Sequence, residues 1–142
     1  MAIHIKVLGY HIDVFQHVNN ARYLEFYEAD RWDWMGKANL IEWAIQHRIV
    51  MAAVNINVNY FQAVGLGDEL TVISRMDKIG VKSAVCYQQI IRHRNGVDEV
   101  VSDAYVTFVF IDGKVNKAMV IEDELREKIE SLKNKTDAFI EV

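Results

Sequence analysis

Proline is absent from this chain of 142 residues, and the sequence has no internal repeat, no linker-like stretch and no low-complexity tract. Nothing in it therefore marks a boundary between domains. Hydrophobic residues make up 51% of the chain and charged residues 25%, which gives one globular domain enough apolar material for one core. We expect residues 1–142 to form a single domain.

Cysteine is almost absent as well. The single Cys86 cannot form an intramolecular disulfide, and it has no partners at the spacing of a metal site. A free cysteine behaves as a small hydrophobic residue, so we expect Cys86 to be buried in a strand. The sequence also lacks a phosphate-binding glycine loop and a nucleophile elbow. We therefore predict no metal and no cofactor.

A basic excess and a long apolar run are also missing. The net charge of −4 gives no general attraction to nucleic acid or to anionic membranes. A bilayer crossing needs about 20 apolar residues in a row, and the densest region, Ile49 to Phe61, is interrupted by three asparagines. The segment Met1 to Val7 alternates apolar and polar residues without a basic leader, which is typical of a strand and not of a signal peptide. We expect a cytoplasmic protein that binds no nucleic acid and no membrane.

Helical periodicity is clearest between Ala21 and about Lys37. The aromatic residues there fall at spacings of three, four and seven and form one apolar stripe, which consists of Tyr23, Phe26, Tyr27 and Trp34. Asn20 precedes this helix and can cap it, because its side-chain oxygen can accept an amide proton of the first turn. Shorter helices are expected over Leu40 to Gln46 and over about Asp123 to Leu132.

The rest of the chain is dominated by a period of two, which is typical of strands. In the clearest strand, apolar and polar side chains alternate; they are Val54, Ile56, Val58 and Tyr60 on one face and Asn55, Asn57 and Asn59 on the other. Asn95-Gly96 favours a type I′ hairpin turn, because both residues tolerate a positive φ. Further strands are expected over Leu70 to Asp77, Lys82 to His93 and Glu99 to Ile111, the last with Val100, Ala104, Val106, Phe108 and Phe110 on one face. This order of elements predicts an α+β fold in which a curved antiparallel sheet wraps one long helix.

The segment from Tyr10 to Phe26 places an acid, Asp13, and an imidazole, His17, in a loop directly before the long helix. A helix start offers unpaired amide protons and a partial positive charge, which can stabilise the oxyanion formed when a carbonyl is attacked. Asp13 can make that attack, or it can activate a water molecule that does. The residues alone leave a structural role open, because Asp13 can form a turn and Asn19-Asn20 can form a turn and cap.

The pattern Asp13, His17-Val18-Asn19-Asn20 and Tyr23 resembles the signature of the 4-hydroxybenzoyl-CoA thioesterase superfamily of hotdog proteins. Within that superfamily, the chain is similar to the FadM type of bacterial long-chain acyl-CoA thioesterase. The segments that carry this likeness run through nearly the whole chain and are Gly9–Phe26, Arg31-Trp32-Asp33, Val54–Tyr60, Thr107-Phe108-Val109 and Glu124–Lys128.

The resemblance implies hydrolysis of a fatty acyl-CoA, by preference a long-chain one, to fatty acid and CoA. It implies that Asp13 is the general base or nucleophile, and that His17 and Asn20 orient the acid, the water or the carbonyl. Backbone amides near Arg22 and Tyr23 would polarise the thioester carbonyl. The family also forms dimers or tetramers with each site between two protomers, which agrees with the need to cover a long exposed edge strand.

One stretch departs from the pattern of the FadM type. There, basic residues and a proline follow the strand that corresponds to Val54–Tyr60, whereas this chain has Phe61-Gln62-Ala63. A contact with the CoA phosphates would be altered at this point.

Several residues are candidates for substrate binding, each with an ordinary structural interpretation beside it. In the hotdog fold an acyl tunnel runs beside the helix, so the aromatic stripe can wall the tunnel, although such a stripe is usually core. The asparagine ladder can line a channel for pantetheine or form a plain polar strand face, and scattered basic residues can meet the CoA phosphates or be isolated surface charges. The candidates are Tyr23, Phe26, Tyr27, Asn57, Asn59 and Lys82, with Arg75, Arg92 and Arg94 as further basic residues.

Alternative bases and alternative functions follow from the same comparison. Some hotdog proteins use a helical glutamate, so Glu25 and Glu28 are alternates to Asp13, although carboxylates on an outer helix face need no chemistry. The other functions are hydrolysis of acyl groups on acyl carrier protein, hydrolysis of aryl-CoA, and acyl-CoA binding without catalysis. The complete Asp13 and His17–Asn20 pattern argues against the last, because a binding module needs no carboxylate aimed at a carbonyl.

Overall fold

The computed structural model describes residues 2–134 and 139–142, so Met1 of the expected first strand lies outside the described residues. Six strands and three α-helices follow one another along this part of the chain. They are β1 Ala2–Lys6, α1 Asn20–Lys37, α2 Leu40–Gln46, β2 Ile49–Tyr60, β3 Glu69–Ile79, β4 Ser83–Arg94, β5 Val97–Asp112, β6 Lys117–Ala118 and α3 Asp123–Ser131. None of these helices has the length and hydropathy that a bilayer crossing needs.

The strands form one antiparallel sheet in the order β1-β3-β4-β5-β2, with β6 paired to the end of β5. The α+β architecture expected from the sequence is confirmed. β2 is last in the order and pairs with β5, so within the described residues its other edge faces no strand. The end of β2 reaches the start of α1, where the Tyr60 hydroxyl donates to the Asn20 carbonyl at 3.2 Å.

Helix α1 packs along the inner face of the sheet and divides the core into two clusters. Its first half contributes Tyr23, Phe26 and Tyr27 to a cluster with Val72 and Ala104 of the sheet. Its second half contributes Trp34 and Met35 to a cluster that also contains the inner faces of α2 and α3. Burying one large apolar side chain stabilises a fold by about 1.5–3 kcal/mol, so these contacts hold the helix at a fixed height over the sheet.

A buried polar network gives the same helix a fixed register. Asp30, which is fully buried, accepts a hydrogen bond from the Ser74 hydroxyl on β3. The Gln88 amide on β4 donates to Ser74 Oγ at 2.7 Å and to the Tyr27 carbonyl at 2.9 Å, and Arg31 donates to Gln88 Oε1 at 3.1 Å. A shift of α1 would leave these groups unpaired in the interior, which is costly.

Most predicted elements are confirmed, and the differences have local causes. The Asn95-Gly96 turn has positive φ at both residues, 54° and 73°, as a type I′ turn requires. Val54 lies at a bulge in β2, where the register on β5 shifts between Ala53 and Asn55. A second irregularity lies opposite Ile90 and Ile91, and it gives Val101, which is fully buried, a core position in place of Val100. Each inserted residue reverses the alternation that the sequence pattern assumes.

Candidate active site

Residues 12–18 form a tight turn that presents Asp13. The Asp13 amide donates to the His17 carbonyl at 3.0 Å, and the Gln16 amide donates to the Asp13 carbonyl at 3.0 Å. Gln16 has a positive φ of 66°, which lets the chain reverse within so few residues. The Phe15 amide donates to Asp13 Oδ1 at 2.9 Å. One carboxylate oxygen is therefore fixed by the turn, as expected for a turn-forming aspartate.

Asn19, and not Asn20 as predicted, caps helix α1. The side chain of Asn19 accepts from the Ala21 amide at 2.9 Å, and its carbonyl accepts from the Arg22 amide at 2.9 Å. Asn20 is the first helical residue, and among the described residues no acceptor is recorded for its amide. The start of the helix therefore carries a partial positive charge and at least one available donor.

The turn and the helix start border one cavity of about 500 Å³. It contains Asp13, His17, Asn20 and Tyr23 of the predicted site, so the structure brings these four residues together. Its opposite wall consists of the end of β2 and the connection to β3. The residues of this cavity that were not predicted as site residues are Phe15, Val18, Tyr60, Phe61, Gln62 and Ala63.

Two tyrosines, Tyr23 and Tyr60, line this cavity. Their rings meet edge to face with centroids 4.9 Å apart, and the Tyr60 hydroxyl donates to the Asn20 carbonyl at 3.2 Å. Burial raises the pKa of Tyr23 to about 12 and also raises that of Tyr60. Both hydroxyls are therefore protonated at neutral pH and can donate hydrogen bonds but cannot act as bases. Asp13 and His17 are left as the candidate bases at this cavity.

A second cavity, of about 550 Å³, lies farther along the same side of α1. The side chains at Asn20, Leu24, Glu28 and Trp32 follow each other at intervals of four, so they form one helix face. Asn20 borders the first cavity and Glu28 and Trp32 border the second. The remaining wall of the second cavity is mostly apolar and comes from Arg31, Met35, Ile41, Ala44, Ile45, Ile49, Val50, Met51, Ala53, Ile56 and Phe108.

The other predicted substrate residues lie away from both cavities. Phe26 and Tyr27 are buried in the core, with Tyr27 hydrogen-bonded to Ser102, which is the ordinary interpretation of an aromatic stripe. Asn57 and Asn59 pair with Tyr105 and Asp103, which alternate with core residues, so they face the outer side of the sheet. Asn59 donates to Asp103 at 2.9 Å there.

The charged candidates do not line the first cavity either. Lys82 lies in the turn between β3 and β4, and its neighbour Ser83 pairs with Val109 of β5. Tyr60, at the cavity, pairs with Ser102. Lys82 is therefore about seven residues along β5 from the cavity. Glu25 forms an ion pair with Arg22 at 2.9 Å, and Glu28 accepts from the Trp32 indole at 3.1 Å. Arg75 stacks on Tyr87 and Phe139, Arg92 is 3% exposed, and Arg94 pairs with Glu99 at 3.4 Å.

Comparison with known proteins shows the family to which the chain belongs. The family model of the thioesterase-like superfamily matches residues 7–129. The chain belongs to the thioesterase-like superfamily. It is 47% identical over 132 residues to the long-chain acyl-CoA thioesterase FadM of Escherichia coli strain K12, a match that covers 93% of this chain and 98% of that protein.

Solved structures of similar proteins support the fold of this thioesterase-superfamily member. The YbaW probable thioesterase from Escherichia coli superposes with a TM-score of 0.86 at 46% identity, covering 94% of this chain and 99% of that chain. A 4-hydroxybenzoyl CoA thioesterase variant complexed with 4-hydroxybenzoyl CoA superposes with a TM-score of 0.81 at 18% identity, covering 91% and 97%. At that identity the likeness is one of fold, and it confirms the hotdog architecture. Among the described residues no group of three or more His, Cys, Asp or Glu could hold a metal ion.

His11 supports the turn and was not singled out from the sequence. Its ring is buried, with Nδ1 accepting from the Leu8 amide at 2.9 Å, and its carbonyl accepts from the Asn19 amide at 3.0 Å. The ring lies edge-on to Phe26 at 5.1 Å. Burial and the nearby Arg22 charge lower the pKa of His11, against a smaller opposing effect of Glu25. The neutral ring is therefore the form that holds the entry to α1.

The buried neutral ring of His11 predicts that the stability of the fold depends on pH. The unfolded chain takes up a proton at the ordinary imidazole pKa of about 6.5, whereas the folded pKa of His11 lies lower. Between these two values the unfolded state binds more protons, so the free energy of unfolding falls as the pH falls through that range. His11→Asn keeps an oxygen that can accept from the Leu8 amide and removes the titrating ring. Urea unfolding at pH 7, 6 and 5 should show a shallower loss in this variant than in the wild type, and equal losses would contradict the role of His11.

Proposed function

We propose that this protein hydrolyses acyl-CoA thioesters, with a preference for long-chain fatty acyl groups, to free acid and CoA. The observation that carries the proposal is that Asp13 and the start of α1 border one cavity, while the same helix face leads to an apolar cavity. The printed name of the FadM relative, which is 47% identical over 132 residues, supports the same substrate class. A cytoplasmic location and the absence of nucleic-acid partners stay predictions.

In the proposed reaction, Asp13 acts at the thioester carbonyl. Its Oδ1 is held by the Phe15 amide, which leaves the second oxygen to take a proton from water or to attack the carbonyl carbon directly. In the first route the activated water adds to the carbonyl carbon, and in the second an acyl–Asp13 anhydride forms, which water then hydrolyses to the free acid. In either route the carbon–sulfur bond breaks and CoA leaves as the thiolate, which then takes up a proton. His17 and Asn20 border the same cavity and would orient the water or the carbonyl.

The negative charge on the carbonyl oxygen would be stabilised at the first turn of α1. The amides of Arg22 and Tyr23 remain our proposed donors, although the Arg22 amide already donates to the Asn19 carbonyl at 2.9 Å and would have to share it. We add the Asn20 amide, which lies at the cavity wall and, within the described part of the chain, has no recorded acceptor. In other enzymes one donor of this kind contributes about 3 kcal/mol of transition-state stabilisation.

The acyl chain would lie along α1 and end in the second cavity. A rise of about 1.5 Å per residue places Leu24 and Met35 about 16 Å apart along the helix. One leaflet of a bilayer, which is one layer of acyl chains, is about 15 Å thick. This stretch of α1 is thus about as long as a long-chain acyl group, and Leu24, which is 41% exposed at its start between the two cavities, would contact the first part of the chain.

Ala53 offers a test of where the acyl chain ends. Ala53→Phe fills part of the second cavity, while Ala52→Phe adds the same ring on the opposite face of β2. Each methylene kept out of an apolar site costs about fourfold in affinity. We expect Ala53→Phe to lower kcat/KM for palmitoyl-CoA by about tenfold or more and to leave butanoyl-CoA within about twofold. An equal loss for both substrates, or the same profile in Ala52→Phe, would place the chain elsewhere.

We further propose a homodimer or homotetramer in which β2 edges of two protomers join. Exposed apolar side chains cluster near this edge, on β2, α1 and α2, and an uncovered edge strand readily pairs with another chain. They include Val50, Val54, Ile56, Leu24, Trp32 and Ile45.

The oligomer is tested by light scattering at micromolar concentration. Val54→Lys places a charge at the edge and is expected to lower the mass towards that of one chain and to reduce turnover. Val97→Lys is the control, because Val97 is equally exposed, at 57% against 58%, in the hairpin between β4 and β5. A wild-type protein that is monomeric and fully active would overturn the shared site.

The role of Asp13 is tested by Asp13→Asn, which keeps the shape and the acceptor for the Phe15 amide and removes the charge. We expect kcat to fall by about 10²- to 10⁴-fold with a much smaller change in KM. Asp112→Asn is the matched control, since Asp112 Oδ1 accepts from the Lys114 amide at 2.9 Å in the same kind of turn. If Asp13→Asn instead hydrolyses acyl-CoA at near the wild-type rate, the carboxylate is structural, and Glu25 or Glu28 becomes the base to test.

A further inference from the structure

Arg92 is buried on β4 with only 3% of its side chain exposed, although a guanidinium is costly to remove from water. Five hydrogen bonds compensate for this burial. Nε and Nη2 donate to Glu99 Oε1 at 3.1 and 2.8 Å, Nη2 also donates to Gln62 Oε1 at 2.7 Å, and Nη1 donates to the Ala63 carbonyl at 2.9 Å and to Asp68 Oδ2 at 3.4 Å. A side chain engaged in this way is not available to the CoA phosphates.

The acceptors of Arg92 belong to two different parts of the fold. Glu99 lies on the neighbouring strand β5, within the same hairpin. Gln62, Ala63 and Asp68 belong to the connection between β2 and β3, which has no regular strand or helix. Asp68 Oδ2 also accepts from the Gly65 amide at 2.9 Å. One buried cation on β4 therefore holds the β2–β3 connection against the sheet.

The first five residues of this connection, 61–65, contact the candidate active site. Gln62 and Ala63 form part of the cavity wall opposite Asp13. The next residue, Val64, is fully buried, and its carbonyl accepts from the Val18 amide at 2.8 Å. Gly65 forms a β-bridge with His17. A displacement of the connection would move both the cavity wall and the segment from His17 to Val18.

We propose that Arg92 is a positioning residue for thioester hydrolysis, which fixes the β2–β3 connection and through it the His17–Asn20 segment relative to Asp13. The inference rests on the proposed function, because it assigns Arg92 to the geometry of that same site. Catalytic groups misplaced by about 1 Å can lose about 10²-fold in rate. A guanidinium suits this role because its donors lie in a rigid plane and reach several acceptors at once.

The test compares Arg92→Met and Arg92→Lys with Glu99→Gln. Arg92→Met keeps a long side chain and removes every donor, so kcat should fall by about 10²-fold with KM within about threefold of wild type. Arg92→Lys keeps the charge and can reach one or two of the acceptors, so it should recover about tenfold of that loss. Glu99→Gln removes the negative charge but keeps a side-chain oxygen that can accept from Arg92 and from Gln62, so the connection stays in place and kcat should stay within about twofold. Each variant is assayed well below its own Tm.

Hydrogen exchange provides a readout that does not depend on activity. The Val18 amide, which donates to Val64, should exchange faster in Arg92→Met and at the wild-type rate in Glu99→Gln. Three results would each overturn the inference. They are wild-type kcat in both Arg92 variants, unchanged Val18 exchange in Arg92→Met, and an equal kcat loss in Glu99→Gln at a similar Tm.

The proposed function can fail separately. If the wild-type protein hydrolyses no acyl-CoA but Val18 exchange still responds to Arg92→Met, the proposed function is refuted, and Arg92 still positions the β2–β3 connection.

Discussion

The hydrogen bond from the Val18 amide to the Val64 carbonyl, at 2.8 Å, joins the two halves of the candidate site. One side of it is the turn that carries Asp13, and the other is the connection that closes the cavity. Both valines are buried beside Tyr23 and Phe26 of α1. A helix end exposed to water frays, because its first amides lack partners. Here Asn20 itself is exposed, but Val18 before the helix and Tyr23 in its first turn are buried in the core, so the amides of α1 and its partial charge keep one direction relative to Asp13.

Buried polar groups fix the relation between the helix and the sheet in two places. Asp30, with Ser74 and Gln88, sets the register of α1 in the middle of the core, and Arg92 sets the connection at the edge of the cavity. Such groups contribute little net stability, because their removal from water offsets much of their attraction. Their effect is on specificity, because any other packing of the helix or of the connection against the sheet would leave a buried polar group without its partner. The apolar clusters stabilise the fold, and these contacts determine which arrangement of the site it has.

The parts of this structure that depend on local pattern could be predicted from the sequence. The limits of α1 and α2, the Asn95-Gly96 turn and the grouping of Asp13, His17, Asn20 and Tyr23 follow from periodicity, turn chemistry and family likeness. The outer position of Asn57 and Asn59 follows from the register of β2 on β5, which no single strand reveals. The roles of Arg92 and of the Phe61–Ala63 wall depend on contacts between residues about 30 positions apart. A bulge, as at Val54, also reverses an alternation that looks regular in the sequence.

If the Asp13 cavity and the apolar cavity serve one acyl thioester, the wild-type protein should prefer long acyl chains. Thiol release measured over a panel of acyl-CoAs from acetyl to stearoyl, with benzoyl-CoA added, tests this. We expect kcat/KM to rise as the chain lengthens towards the long-chain substrates, because each methylene that enters the apolar cavity is removed from water, and we expect benzoyl-CoA to be a poor substrate. Release that is absent for every acyl-CoA, or highest for acetyl-CoA or benzoyl-CoA, would contradict it.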